Sequence, residues 1–149
     1  MLRPEIINGR NRPVAERQEL SRKERRGEIQ RIGPGLYTGN LLLSPRAVIK
    51  RNAINVAAAV EPGAMLAVRS GFELLPMEVE GQQHLFVSGR TTGTTELDGL
   101  TIHRIKGPGP LDGDSSYLGL FLPSVARRCL ENLVPARVRK GGIGMPRTL

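Results

Sequence analysis

Glycine and proline divide this chain into short segments, and that division limits the folds open to it. The 149 residues include 18 glycines and 11 prolines, which predicts many turns but falls short of low-complexity disorder. Long helical bundles are therefore excluded. Hydrophobic residues make up 39% of the chain, so a packed core is possible. With three Phe, two Tyr and no Trp, binding of single-stranded nucleic acid by aromatic stacking is not expected.

The N-terminal third is predicted to contain a basic helix and a hairpin. The helix is expected over 14–26, because Pro13 suits a first turn and Gly27 a helix end. Two β-prone segments flank the turn 33–35, which predicts a hairpin. Residues 1–13 show no periodicity and are expected to form a disordered leader.

The rest of the chain is predicted to form a mixed sheet with two more helices. Ser44 and Ser124 are expected to cap helices over 45–60 and 125–133. The predicted strands are 64–68, 84–88, 94–97, 100–106 and 118–122. This order of elements favours an α/β or α+β fold. The predicted divisions are a disordered leader at 1–13, the helix and hairpin at 14–40, an α/β body at 41–137 and a basic flexible tail at 138–149.

Positive charge is concentrated at the two ends of the chain. The net charge is +8, and residues 1–31 hold nine Lys or Arg against five Asp or Glu, while residues 139–149 hold three against none. The body between them is almost neutral. A polyanion would therefore be expected to bind the ends, although solvated basic tails are an equally good interpretation.

Few residues suggest catalysis or metal binding. A single cysteine and two histidines cannot supply a four-ligand structural zinc site, and Cys129 is expected to be a buried thiol in an apolar helix face. His84 and His103 lie at or in strands without a nucleophile-elbow pattern. Asp112 and Asp114 are expected to make turn hydrogen bonds. We therefore predict no cofactor and no enzymatic activity.

The chain is expected to remain in the cytoplasm. It contains no apolar run of about 18 residues that could span a membrane, and its N-terminus carries charges where a signal peptide needs apolar residues. A lone cysteine also fits a reducing compartment.

The strongest functional signal is the basic helix followed by a basic hairpin. In winged-helix proteins a helix lies in the major groove and the hairpin after it presses Arg or Lys against phosphate. Only one helix is predicted before this hairpin, so the arrangement is an incomplete winged helix. The residues expected to contact DNA are Arg22, Lys23, Arg25, Arg26 and Arg31.

The segment Gly27–Thr38 resembles the wing of the AbiEi antitoxin family, in which a basic strand leads into a Gly-Leu/Val-Tyr element. The pattern is also similar to the region ahead of the catalytic domain in some bacterial Fic-domain proteins, and it covers about 28–137. Its further segments are the helix after Pro45, Val68–Leu74, Leu100–Ile102, Gly107–Asp114, Leu118–Leu122 and Ala126–Arg137.

This resemblance implies a component of a bacterial toxin–antitoxin or defence system. A winged-helix part would bind its own promoter, and an α/β part would oppose a nucleotidyltransferase toxin. The Fic motif HPFxxGNGRxxR is absent, so no nucleotide transfer is implied, and the end at 146–149 suggests a lost downstream domain. The main hypothesis is a non-enzymatic antitoxin or transcriptional regulator that binds duplex DNA. The alternative is a module that restrains a Fic-type or nucleotidyltransferase toxin without binding DNA.

Overall fold

The N-terminal part of the chain forms a three-stranded antiparallel sheet with one helix beside it. The computed structural model describes residues 5–67, 76–107 and 110–133. The N-terminal elements are β1 (Ile6–Asn8), α1 (Val14–Arg25), β2 (Gln30–Gly33) and β3 (Leu36–Thr38). The strands lie in the order β1–β3–β2, and α1 connects the two outer strands. The predicted helix and hairpin are confirmed.

The disordered leader is an incorrect prediction over the described residues 5–13. Ile6 and Ile7 pair with Thr38 and Tyr37, so this segment adds a third strand to the hairpin. Three residues are too few to show an alternating pattern in the sequence, but the open edge of β3 supplies backbone partners for them. The two isoleucines also point to opposite faces, and both pack against apolar clusters.

Helix α1 rests on this sheet through one buried side chain. Leu20 is 6% exposed and packs with Ile29, Tyr37 and the partly buried Ile7. Pro13 precedes the helix and no side chain caps it. Most of the helix is polar and exposed, as the sequence predicts, so its outer surface is available for contacts.

The C-terminal part contains a seven-stranded mixed sheet. Its strands are β4 (Met65–Leu66), β5 (Met77–Val79), β6 (Gln82–Gly89), β7 (Gly93–Leu97), β8 (Leu100–Lys106), β9 (Ser116–Tyr117) and β10 (Leu120–Phe121). The order is β7–β8–β6–β4–β10–β9, and β5 also pairs with β6. Strands β6 and β8 are parallel, as are β4 and β10, whereas the other pairs are antiparallel. The expected α/β or α+β class with a mixed sheet is confirmed.

The described residues of this part include three helices, and the first two replace what the sequence predicts as one helix over 45–60. They are α2 (Pro45–Arg51), α3 (Ala53–Val60) and α4 (Val125–Leu133). The break lies at Asn52, whose side-chain amide donates to the Val48 carbonyl at 2.9 Å and to the Glu5 carboxylate at 2.6 Å. Such side-chain hydrogen bonds compete with a continuous helical backbone.

The main apolar core joins the two sheets. Ile32 and Leu36 of the hairpin pack in the same cluster as α2, α3 and the inner face of the large sheet. The hairpin is therefore fixed on one side, and the predicted division at residue 40 does not separate two cores. The fully buried members of this core are Leu36, Val48, Ile49, Val56, Ala57, Leu66, Leu85, Val87, Leu100, Ile102 and Leu120.

Helix α4 exposes its apolar side chains, which overturns the expected burial of Cys129. Val125 and Leu130 are 71% and 66% exposed, and Cys129 is half-buried. The reason is the orientation of the helix, because Arg127 contacts the sheet and donates to the Ser88 hydroxyl at 3.2 Å. The apolar face that the sequence assigns to the core is left at the surface.

The loop 111–114 and the C-terminal tail were also the subject of predictions from the sequence. The Leu111 N–H donates to the Asp114 carboxylate at 2.7 Å, which confirms the predicted turn hydrogen bonding there. The predicted tail 138–149 lies outside the described residues. Among the helices that are described, none has the length and apolar character needed to cross a membrane.

Candidate nucleic-acid interface

The five predicted DNA contacts lie at the C-terminal end of α1 and in the strand after it. Arg22, Lys23 and Arg25 belong to the last turn of α1, Arg26 follows it and Arg31 lies in β2. Lys23 is half-buried, and the four arginines are exposed. The fold therefore places all five near the surface.

Three of these arginines are paired with glutamates, and Arg22 and Arg26 are the two at the end of α1. Arg22 lies 3.5 Å from Glu19, and Arg26 lies 3.2 Å from Glu19 and 2.8 Å from Glu28. The hydrogen bond from Arg26 lowers the pKa of the Glu19 carboxyl, and Arg22 adds to this effect. Exposed ion pairs of this kind are weak in water, but each must be broken or shared before the arginine can bind phosphate.

Arg31 is held across the hairpin. Its Nε lies 3.8 Å from the Glu24 carboxylate, and its guanidinium donates to the Tyr37 hydroxyl at 3.0 Å. The guanidinium carbon also stands 5.4 Å from the centre of the Tyr37 ring, within the range of a cation–π contact. Arg31 therefore has a structural role in positioning β2 against β3 and α1.

Arg17 and Arg25 have no ion-pair partner among the described residues, and they lie on what we call the outer face of α1. This face is formed by side chains three or four residues apart, which share one side of a helix. Its members are Val14, Arg17, Gln18, Ser21 and Arg25. Glu16 lies four residues before the buried Leu20 and is on the opposite side, whereas Glu24 follows Arg17 by seven positions, lies at the edge of this face and is 3.8 Å from Arg31. The outer face contains two exposed arginines and no acidic residue.

Arg17 was missed by the sequence prediction, and a signal for it was present. The prediction rested on the density of charge at the end of the helix, where Arg22 has Glu19 three positions before it and Arg26 is paired with Glu19 and Glu28. Arg17 and Arg25 have no ion-pair partner among the described residues. Counting glutamates on each face of the helix would have favoured these two.

A cleft of about 330 Å³ lies between β1, α3 and the β9–β10 turn. Its one acidic residue is Glu5, whose carboxylate accepts hydrogen bonds from the side chains of Asn52, Asn40 and Arg51 at 2.6–3.0 Å. The hydrogen bonds from Asn52 and Asn40 lower the pKa of this carboxyl. Glu5 therefore serves to tie the N-terminal strand to α2 and α3.

The outer face of the large sheet carries a pair of histidines. His84 Nδ1 and His103 Nε2 lie 3.0 Å apart, and Phe86 stacks on the His103 ring with centroids 4.6 Å apart. Ser88 and Thr101 are also buried on this face, at 3% and 5% exposure. The sequence places each histidine at a strand but could not show that β6 and β8 run side by side.

This pair can share a proton, but it lacks the ligands for a metal. Burial lowers the pKa of His84 and of His103, the positive charge of His84 lowers that of His103 further, and Glu96 acts in the opposite direction on both. One ring must donate and the other accept, which suits the neutral forms. No group of three metal-binding side chains occurs within the described ranges.

The pKa shifts predict that acid weakens the fold. Histidines in the unfolded chain bind protons near pH 6.5, whereas the folded pair binds them only at lower pH. The contribution of the pair to the free energy of unfolding is therefore fully present above pH 6.5 and is lost as the pH falls through the folded pKa values. We expect a lower melting temperature at pH 5.5 than at pH 7.5, and a smaller difference in a His103→Gln variant. Calorimetry at both pH values tests this, and an equal difference in the two proteins would contradict it.

The support for this interface comes from its own geometry. Comparison of the chain with protein-family models, with curated sequences and with solved structures gave no match. The resemblance to the AbiEi family therefore stays a prediction. The strongest physical indication of a partner is the exposed, acid-free outer face of α1 beside the hairpin.

Proposed function

We propose that this chain is a non-enzymatic antitoxin-like or transcriptional-regulator module of a bacterial toxin–antitoxin or defence system, which binds duplex DNA weakly through α1 and the hairpin. The observation that supports it best is the outer face of α1. There Arg17 and Arg25 are exposed and have no ion-pair partner among the described residues, and Glu24 at the edge of this face is paired with Arg31. A helix with such a face fits the DNA major groove, which is about 12 Å wide.

The arrangement of the N-terminal elements agrees with this proposal. The hairpin β2–β3 follows α1 directly, and β1 completes the sheet in the order β1–β3–β2. These are the parts expected of an incomplete winged helix with one helix and one hairpin. Because few cations are free to reach phosphate, the affinity is expected to lie in the non-specific range, with a Kd of about 10⁻⁴ to 10⁻⁶ M.

The proposal predicts salt-dependent binding to duplex DNA. Each phosphate contact contributes about 0.9 to the slope of log affinity against log salt. Two contacts, from Arg17 and Arg25, therefore lower the affinity about tenfold or more when salt rises from about 50 mM to about 200 mM. A fluorescence-anisotropy titration with a labelled duplex at both concentrations measures this. The absence of duplex binding at the lower concentration would rule the proposal out.

An alternative function is restraint of a Fic-type or nucleotidyltransferase toxin without DNA binding. The exposed apolar face of α4 favours it, because Val125, Leu130 and Leu133 are each more than half exposed and such patches often bind proteins. In that case the chain should co-purify from its host with an enzyme of either class, and a Leu130→Glu variant should lose it. Duplex binding that survives this substitution favours the first proposal.

A cytoplasmic location belongs to the main proposal. DNA is accessible there, and the single cysteine has no intramolecular disulfide partner, as is usual in a reducing compartment. No cofactor is part of the proposed function, because the contacts to DNA need only cationic and polar side chains.

A further inference from the structure

The N-terminal segment ends against the tip of the hairpin. Asn8, the last residue of β1, pairs with Leu36 just after the hairpin turn. The next residue, Gly9, donates its N–H to the Gly35 carbonyl at 2.8 Å. These contacts fix the position of Arg10, whose own N–H donates to the Asn8 side chain at 3.0 Å.

Arg10 lies across the turn because residue 35 is glycine. A Cβ atom on Gly35 would stand 2.7 Å from Arg10 Cγ, which is too close for two carbon atoms. Gly35 also has a φ of +71°, a conformation that favours glycine. The sequence of the turn thus leaves room for the aliphatic part of the Arg10 side chain.

The Arg10 guanidinium is exposed and has no hydrogen-bond or ion-pair partner among the described residues. The guanidinium of the nearby Arg12, in contrast, has two partners: it lies 3.5 Å from the Glu16 carboxylate and donates to the Asn8 carbonyl at 2.8 Å. The turn itself, Gly33 to Gly35, carries no charge, and its proline has no N–H to donate. Arg10 therefore supplies the positive charge at the tip of the hairpin.

We propose that Arg10 binds a backbone phosphate of the same duplex that α1 contacts, and this rests on the proposed DNA-binding function. Val14, at the start of α1, is only four positions after Arg10, so their Cα atoms lie within about 14 Å of each other. That distance is similar to the major-groove width of about 12 Å. With α1 in the groove, Arg10 can reach a phosphate on the strand that borders it.

The test compares the full chain with the Arg10→Gln variant on two labelled duplexes of unrelated sequence. A lost phosphate contact should lower the salt slope by about 0.9, so the variant should lose about threefold less affinity than the parent between about 50 mM and about 200 mM salt. It should also bind both duplexes more weakly by the same factor. The control is Arg90→Gln, which removes from the body an exposed arginine that has no ion-pair partner in the described part of the chain, and it should leave the slope unchanged.

The outcomes separate this proposal from the function on which it rests. If the parent chain binds DNA and Arg10→Gln has the same slope and affinity, the Arg10 contact is wrong while DNA binding stands. If the loss is confined to one duplex, Arg10 contacts bases, and the phosphate assignment is overturned. If the parent chain binds neither duplex at low salt, both proposals fail together. Thermal melting of both variants verifies that they are folded.

Discussion

Replacing Arg17 and Arg25 together by glutamine is expected to weaken duplex DNA binding about a hundredfold at low salt. A hydrogen bond to a charged group contributes about 1.5 kcal/mol, which is about tenfold in affinity for each arginine. The two residues are about 12 Å apart along the helix axis, a distance at which separate losses add. Fluorescence anisotropy with a labelled duplex measures the change, and circular dichroism verifies that α1 is retained.

The matched control is the double variant Arg22→Gln and Arg26→Gln. It removes the same charge from α1 and the residue that follows it, but these arginines are already paired with Glu19 and Glu28. We expect a loss of less than about tenfold, since only long-range attraction is reduced. Equal losses in the two double variants would mean that net charge, and not the outer face, determines binding. A larger loss in the control would favour the set predicted from the sequence.

Local signals in the sequence were sufficient to predict many of the elements. Strand β8 was predicted with its observed bounds, Leu100–Lys106, because its alternating pattern is long enough to be clear. Ser44 accepts a hydrogen bond from the Ala47 N–H at 3.2 Å, and Ser124 one from the Arg127 N–H at 3.3 Å. These caps depend only on residues within one helical turn, so they can be predicted without tertiary structure.

Features that depend on distant contacts could not be predicted. Strand β1 exists because the edge of β3 is open to it, and no property of Ile6 and Ile7 alone indicates that edge. The contact between His84 and His103 depends on the parallel pairing of β6 with β8, which places Phe86 opposite His103. The outward orientation of Val125 on α4 likewise depends on which face of that helix contacts the sheet.

The contacts of the candidate interface could be predicted from the sequence only in part. The pairing of Arg22 with Glu19 follows from their spacing of three residues on a helix, so the sequence could have indicated it. The contact between Arg31 and Glu24 joins a strand to a helix and required the fold. Arg10 could be recognised only once the N-terminal segment was seen to reach the hairpin turn.

Leu20→Ala is expected to remove about 2–5 kcal/mol from the free energy that holds α1 on the sheet. Leu20 is 6% exposed and is the one buried side chain of α1. An isolated helix of 12 residues is marginal in water, so α1 should unfold locally once this contact is lost. DNA binding should then fall at least as far as in the Arg17 and Arg25 double variant, although every cation is retained.

Leu42→Ala is the control for this change, because Leu42 is 97% exposed and its truncation removes the same atoms from the surface. It should alter the free energy of unfolding by less than about 0.5 kcal/mol. Hydrogen exchange at the α1 amides distinguishes local from global unfolding. We expect Leu20→Ala to accelerate exchange in α1 while the amides of β6 and β8 stay protected, since the main core is a separate cluster. Equal acceleration in α1 and in the large sheet would instead mean that α1 and the main core unfold as one unit.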